Sequence, residues 1–247
     1  MAVRLKIHER PRLVRFASST VLWLYTGGLY FLSFLGPVLI IDYVRFLPAP
    51  VLLALAIAGF GVAGATFLAL LVLSKKLIVG PIENTGRANL DTEDGRRWFS
   101  AVMLATILIN SPFASLATGV SVLASWYYRG MGAKMAGSVV IGARTRIADP
   151  WFLEVGENVT IGGDTLILGH LGHGEDIILG RIVIGDGAIV GARSVILPDV
   201  RIGRSARVGA GAVVVRGTVI PDGETWAGVP AQKISARSAH EGMAHHA

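Results

Sequence analysis

"VGARSVILPDVRIGRSARVGAGAVVVRGTVIPDG", residues Val190 to Gly223, returns a branched aliphatic side chain at every sixth position: Val190, Ile196, Ile202, Val208, Val214 and Ile220. A helix repeats near 3.6 residues and a half-buried strand at two, so a period of six calls for a chain that turns a corner every sixth residue. Short flat strands joined by tight turns do this. Three such sides make a triangular coil of about 18 residues, whose inward aliphatics stack on those of the next coil and bury a core that no single coil could bury.

The same count runs upstream. Ile141 and Ile147 are six apart, Val155, Ile161 and Ile167 resume after a two-residue shift in "DPWFLE", and Ile178 and Ile184 lead into the opening stretch. Glycines follow many of these aliphatics (Gly142, Gly156, Gly162, Gly185, Gly191, Gly203, Gly209), and the expectation is that they serve turns needing small or positive-φ residues where a side chain would clash. The repeat therefore occupies residues 132–234, with a flexible tail expected over 235–247.

Upstream the composition changes. The chain of 247 residues is 52% hydrophobic and only 16% charged, which predicts membrane segments beside a compact domain. Phe16 to Ile41 and Ala49 to Ser74 are each uncharged over 26 residues, long enough for two spanning helices, with Pro48 and Pro50 at the turn. Arg4, Lys6, Arg10, Arg12 and Arg15 precede the pair and Lys75 and Lys76 follow it, which places both ends in the cytoplasm. A third uncharged run, Trp98 to Tyr128, is broken at Asn110, Ser111 and Pro112 and is expected to form a re-entrant or interfacial helical hairpin, closing a membrane region of residues 1–131. Gly80 to Arg97 reads as a plain polar loop.

The net charge of +6 is explained by those flanks, and the basic residues are not gathered with aromatics into a nucleic-acid-binding module. With no cysteine, disulfides, thiolate metal sites and a cysteine acyl-enzyme are excluded. Both histidines of the repeat, His170 and His173, lie in an interruption reading "LGHLGHGEDI", where the period slips by one residue between Ile167 and Ile178. Loops projecting from a rigid scaffold commonly carry chemistry, and imidazole suits a general base near neutral pH.

In order, "VGENVTIGGDTLILGH", "RIVIGDGAIVGARSVILPDVRIG" and "VGAGAVVVRGTVIPDGETWAGVPAQKI" resemble the hexapeptide-repeat acyltransferases, most nearly their sugar and serine acetyltransferase branch. The preceding apolar segments, with "YYRGMGAK" leading in and "ETWAGVPA" closing, resemble the membrane-attached terminal domains of some nonribosomal peptide synthetases. This resemblance implies an α-helical membrane region followed by an all-β left-handed parallel β-helix, and a homotrimer in a bacterial inner membrane with its catalytic domain on the cytosolic side. It also implies direct transfer of an acyl group from acyl-CoA to a hydroxyl or amine of a membrane-associated glycan, lipid or peptide-derived acceptor. His170 matches the family's base. His173 is a second candidate that would instead bind the acceptor, Glu175 or Asp176 would orient an imidazole, and Asp164 would contact the acceptor. Ala192 and Ala210 match the pantetheine-binding positions, and Arg216 and Lys233, with Gln232, those near the nucleotide phosphates. No metal is expected, because a catalytic zinc takes about three protein ligands and this domain has two histidines in one loop. The non-enzymatic alternative is a membrane-tethered β-helix scaffold that kept the solenoid without the chemistry.

Overall fold

The computed structural model describes residues 12–173 and 176–234 and divides the chain into two compact units, the boundary falling between Leu73 and Ser74. In the first unit, α1 (Arg12–Tyr43) and α2 (Ala49–Ser74) form an antiparallel pair. Tyr30 stacks on Phe67 with ring centres 4.9 Å apart, and Phe34 meets Phe60. Gly59 lets Pro37 approach, since a Cβ there would lie 3.1 Å from the proline Cβ. Trp23, Leu24, Leu53 and Ile57 point away from the pair and are exposed. By length and composition, Val21–Tyr43 and Ala49–Val79 are each apolar enough to cross a bilayer.

The second unit starts well before the repeat. After a π-helical turn, Lys75–Val79, come a short strand, Gly86–Ala88, and three helices: α3 (Glu93–Ile109), α4 (Ala114–Gly119) and α5 (Ser121–Met131). Thr92 caps α3 by accepting the Gly95 N–H at 3.1 Å, with Glu93 and Asp94 in the first turn where the helix dipole favours acids. Gly132 ends α5 with φ of 119°. The plain loop expected over Gly80–Arg97 instead holds the strand Gly86–Ala88 and the start of α3, and the helices ahead of Lys134 belong to the same compact unit as the repeat.

From Lys134 the chain winds into three parallel sheets. Ile184, Ile202 and Ile220 are in register on one face, Ile161, Val190 and Val208 on the second, and Ile167, Ile196 and Val214 on the third. Six residues therefore advance the chain one face and 18 bring it back, as between Ile184 and Ile202. All of these side chains are buried. The corners take left-handed residues at Gly187, Arg193, Asp199, Ser205, Gly211, Gly217 and Gly223. These are not the glycines that follow the aliphatics. Gly191, for example, has no positive φ; a Cβ there would stand 2.5 Å from the Ala210 nitrogen of the next coil, so close approach rather than turn geometry excludes a side chain.

A solenoid has two open ends, whose unpaired backbone groups must be satisfied. At the start, α4 and α5 supply the partners: Ile141 N–H donates to Ser121 Oγ at 2.9 Å, Arg144 N–H to the Thr118 carbonyl at 3.0 Å, and Ile147 N–H to Tyr128 Oη at 3.3 Å. Tyr128 in turn donates to the Thr145 carbonyl at 3.0 Å. At the break between α3 and α4, Ser111 and Phe113 are buried while Asn110 and Pro112 are exposed, and Val122 and Trp126 of α5 also stay exposed. At the other end, Thr225–Ala227 and Gln232–Lys233 fold back as an antiparallel pair.

Candidate active site

Val155 pairs with Ile184, 29 residues later, instead of the 18 of an uninterrupted coil. The excess is extruded as an antiparallel hairpin, His170–His173 against Asp176–Leu179, with Gly86–Ala88 added along its free edge. Ile178 pairs with Leu171 and Arg87 in this small sheet and is not a corner of the coil. The insertion falls one residue short of two full repeats, so the aliphatic count passes through it almost in phase. The expected slip of a single residue is the shadow of a whole hairpin.

His170 opens the hairpin, and its imidazole Nδ1 lies 2.6 Å from Oδ2 of Asp149, a carboxylate with no solvent exposure. The same oxygen accepts the Gly169 N–H at 2.8 Å, and Oδ1 accepts the indole N–H of Trp98 at 2.8 Å. Burying a carboxylate is costly unless it is hydrogen-bonded, and here both oxygens have partners. An ionised carboxylate can only accept, so Nδ1 is the donor of this bond, and in the neutral tautomer that this bond selects Nε2 carries the lone pair. The His170 side chain retains 28% of its exposure, and the Trp98 ring meets it edge-on at 5.0 Å between centres. A histidine held this way can accept a proton through Nε2 from a group arriving from solvent.

The carboxylate expected beside the imidazole was Glu175 or Asp176. The structure gives that place to Asp149, just ahead of the turn Pro150–Phe152; Glu175 lies outside the described residues, and Asp176 faces His173 across the hairpin. Side chains alternate along a strand, so His173, three residues on, points to the opposite face from His170. Asp164 sits in a left-handed corner, its carboxylate held at 2.7 and 2.8 Å by Arg144, whose hydrogen bonds keep its pKa below the usual range. It clasps one coil to the next and shares no hydrogen bond with His170.

The expected donor residues lie elsewhere on the coil. Ala192 and Ala210 stack at the close-approach corner above Gly162 and Gly191. Arg216 pairs with Asp199 at 2.8 Å, and Lys233 with Glu224, whose pKa is lowered by that hydrogen bond and the one from the Trp226 indole. Gln232 lies in the closing strand opposite Ala227. None of these shares a hydrogen bond or ion pair with His170. Among the described residues, no group of three or more His, Cys, Asp or Glu side chains is placed to hold a metal ion.

Residues 181–216 match the pattern of the bacterial transferase hexapeptide (six repeats). The chain carries the bacterial transferase hexapeptide repeat. Two curated relatives share more of the hexapeptide-repeat chain. Delta-poly-L-ornithine synthetase of Acinetobacter baumannii (strain AB307-0294) is 30% identical over 139 residues, 56% of this chain and 10% of that protein. YvoF of Bacillus subtilis (strain 168), whose name assigns it provisionally to the acetyltransferases, is 35% identical over 117 residues, 44% of this chain and 64% of that one. The hexapeptide-repeat chain thus spans a tenth of the first and just under two thirds of the second. A maltose O-acetyltransferase from Clostridium difficile 630 is 15% identical with a TM-score of 0.44, covering 61% of this chain and 92% of that one. A hexapeptide-repeat acetyltransferase of Vibrio cholerae complexed with acetyl coenzyme A is 18% identical with a TM-score of 0.44, covering 60% and 91%. The parallel coil thus carries the six-residue repeat of the bacterial transferase hexapeptide over residues 181–216.

Neither Asp149 nor Trp98 stands out in the sequence of the hexapeptide-repeat chain. Asp149 falls in the "DPWFLE" shift, where the period fails by two residues, and that failure was the available signal. Trp98 opens an apolar run and looks like any helix residue.

Proposed function

We propose that the chain is a membrane-anchored acyltransferase that moves an acyl group, most simply acetyl, from acyl-CoA to a hydroxyl or amine. The observation that carries this reading is the His170 imidazole, set in a projecting hairpin with Nδ1 against the buried Asp149. His170 Nε2 takes the acceptor proton as the acceptor oxygen or nitrogen bonds to the thioester carbonyl carbon. Backbone amides stabilise the oxyanion, the carbon–sulfur bond then breaks, and the CoA thiolate leaves with the proton returned by the imidazolium. No covalent enzyme intermediate is needed, which suits a chain without cysteine. The kinship with YvoF supports the acetyl donor. Ala192 and Ala210 would flank the pantetheine arm in a groove between subunits of a homotrimer, with Arg216, Gln232 and Lys233 at the phosphates and Asp164 on the acceptor side.

Calorimetric titration of CoA and acetyl-CoA into the purified chain in detergent tests the donor. Saturable binding is expected, weakened about tenfold in Arg216→Ala with Lys233→Ala, equivalent to about 1.4 kcal/mol. No heat at millimolar ligand would leave the scaffold reading in its place.

Two long apolar helices support a reading in which the acceptor arrives at a membrane, and the basic flanks support one in which the coil lies on the cytosolic side, where CoA is found. Val122 and Trp126 suit a helix resting at the bilayer surface. Because the chain has no cysteine, single cysteines read position directly. Ile57→Cys and Val122→Cys are expected to resist a water-soluble maleimide in vesicles, and Val219→Cys on the coil surface to react in lysed but not intact cells. Labelling of Val219→Cys in intact cells would refute the cytosolic placement.

A further inference from the structure

We propose that Trp98 is a positioning residue for this reaction: its indole N–H fixes the Asp149 carboxylate in the orientation that presents Oδ2 to His170. The inference rests on the reading of His170 as general base and extends it to a segment outside the coil. Trp98 is buried, and it touches the pair at two points, by the hydrogen bond to Oδ1 and by the ring contact with the imidazole. The first holds the partner of the base and the second holds the base itself.

The segment that carries Trp98 is tied to the same hairpin. Gly86–Ala88 pairs with Ile177–Leu179, Arg97 donates to the Pro81 carbonyl at 3.4 Å, and Asn84 donates to Asp94 at 2.9 Å, so residues 81–98 are bound to the hairpin at one end and to Asp149 at the other. Without the indole donor, Oδ1 has no other hydrogen-bond partner among the described residues, and it has no access to water. The carboxylate is then free to turn and divide its acceptors between Gly169 and other arrangements. The proton on Nδ1 loses its fixed acceptor, and with it Nε2 loses its assured lone pair.

The competing role is simple anchorage, in which Trp98 holds α3 on the coil and nothing more. A double-mutant cycle separates the two, since residues acting through one another are non-additive. CoA release from acetyl-CoA, with water as acceptor, is followed with a thiol reagent on the full chain in detergent; the cysteine-free protein adds no background. Trp98→Phe, which keeps a ring and removes the donor, is expected to lower kcat about tenfold with KM for acetyl-CoA within about twofold. The double variant with Asp149→Asn is expected to be no slower than Asp149→Asn alone. Multiplied effects in the double variant, or an unchanged kcat in Trp98→Phe, would overturn the proposal. Wild-type turnover in His170→Ala would instead sink the base assignment beneath it.

An arm independent of turnover uses chain labelled with 15N-histidine. The hydrogen-bonded Nδ1 proton of His170, assigned by its loss in His170→Ala, should be visible in the wild type and exchange-broadened in Trp98→Phe. Its persistence unchanged in Trp98→Phe also overturns the proposal.

Discussion

His170→Ala and Asp149→Asn are each expected to slow acetyl-CoA turnover by about two to four orders of magnitude, with acetyl-CoA binding retained. The first variant removes the group that takes the acceptor proton in the proposed reaction. The second keeps the shape and reverses the polarity, because an amide nitrogen placed where Oδ2 now sits, 2.6 Å from Nδ1, would donate to the ring. The imidazole would then carry its proton on Nε2 and have no lone pair for the acceptor. Rate and affinity must be measured separately, CoA release for the first and calorimetry for the second, since a loss confined to binding would point to a collapsed hairpin. A His170→Ala enzyme within tenfold of wild type would end the general-base reading.

Ile196→Ala is expected to cost about 2–5 kcal/mol of stability, among the larger effects available from a single residue of the coil. Ile196 is fully buried, stacked between Ile167 on one coil and Val214 on the next. Because each coil touches only its neighbours, the gap cannot be filled from elsewhere in the solenoid, and the loss falls on two interfaces at once. Val219→Ala is the control: it lies beside the stack in sequence terms but points outward, and surface changes of this kind stay within about 0.5 kcal/mol. Urea midpoints followed by tryptophan fluorescence compare the two. Equal midpoints would mean that the column of aliphatics is not what holds the coils together.

These two sites also divide what was legible from what was not. The column through Ile196 is written in the order of residues, because a solenoid repeats its local environment and so its side-chain types, and the six-residue spacing carries directly into the registers of the three sheets. The hairpin of His170 was legible as a place, since it interrupts that repeat, yet its size was hidden by an insertion almost commensurate with the period. The glycines were legible as places where a side chain is excluded, but composition does not tell whether φ or a neighbouring coil excludes it; Gly191 needed the position of Ala210 to decide.

By itself the amino-acid order determined the stacked coil, the two long apolar helices and the candidate base, since periodicity, apolar length and a histidine in a broken repeat are all local properties. Only the tertiary structure decided what surrounds that base. Asp149 stands 21 residues before His170, and Trp98 another 51 before Asp149, in segments that share no period. They converge because α3 to α5 must cover the open end of the coil and the strand Gly86–Ala88 must find an edge. Such packing over long chain separations leaves no repeating mark in the sequence.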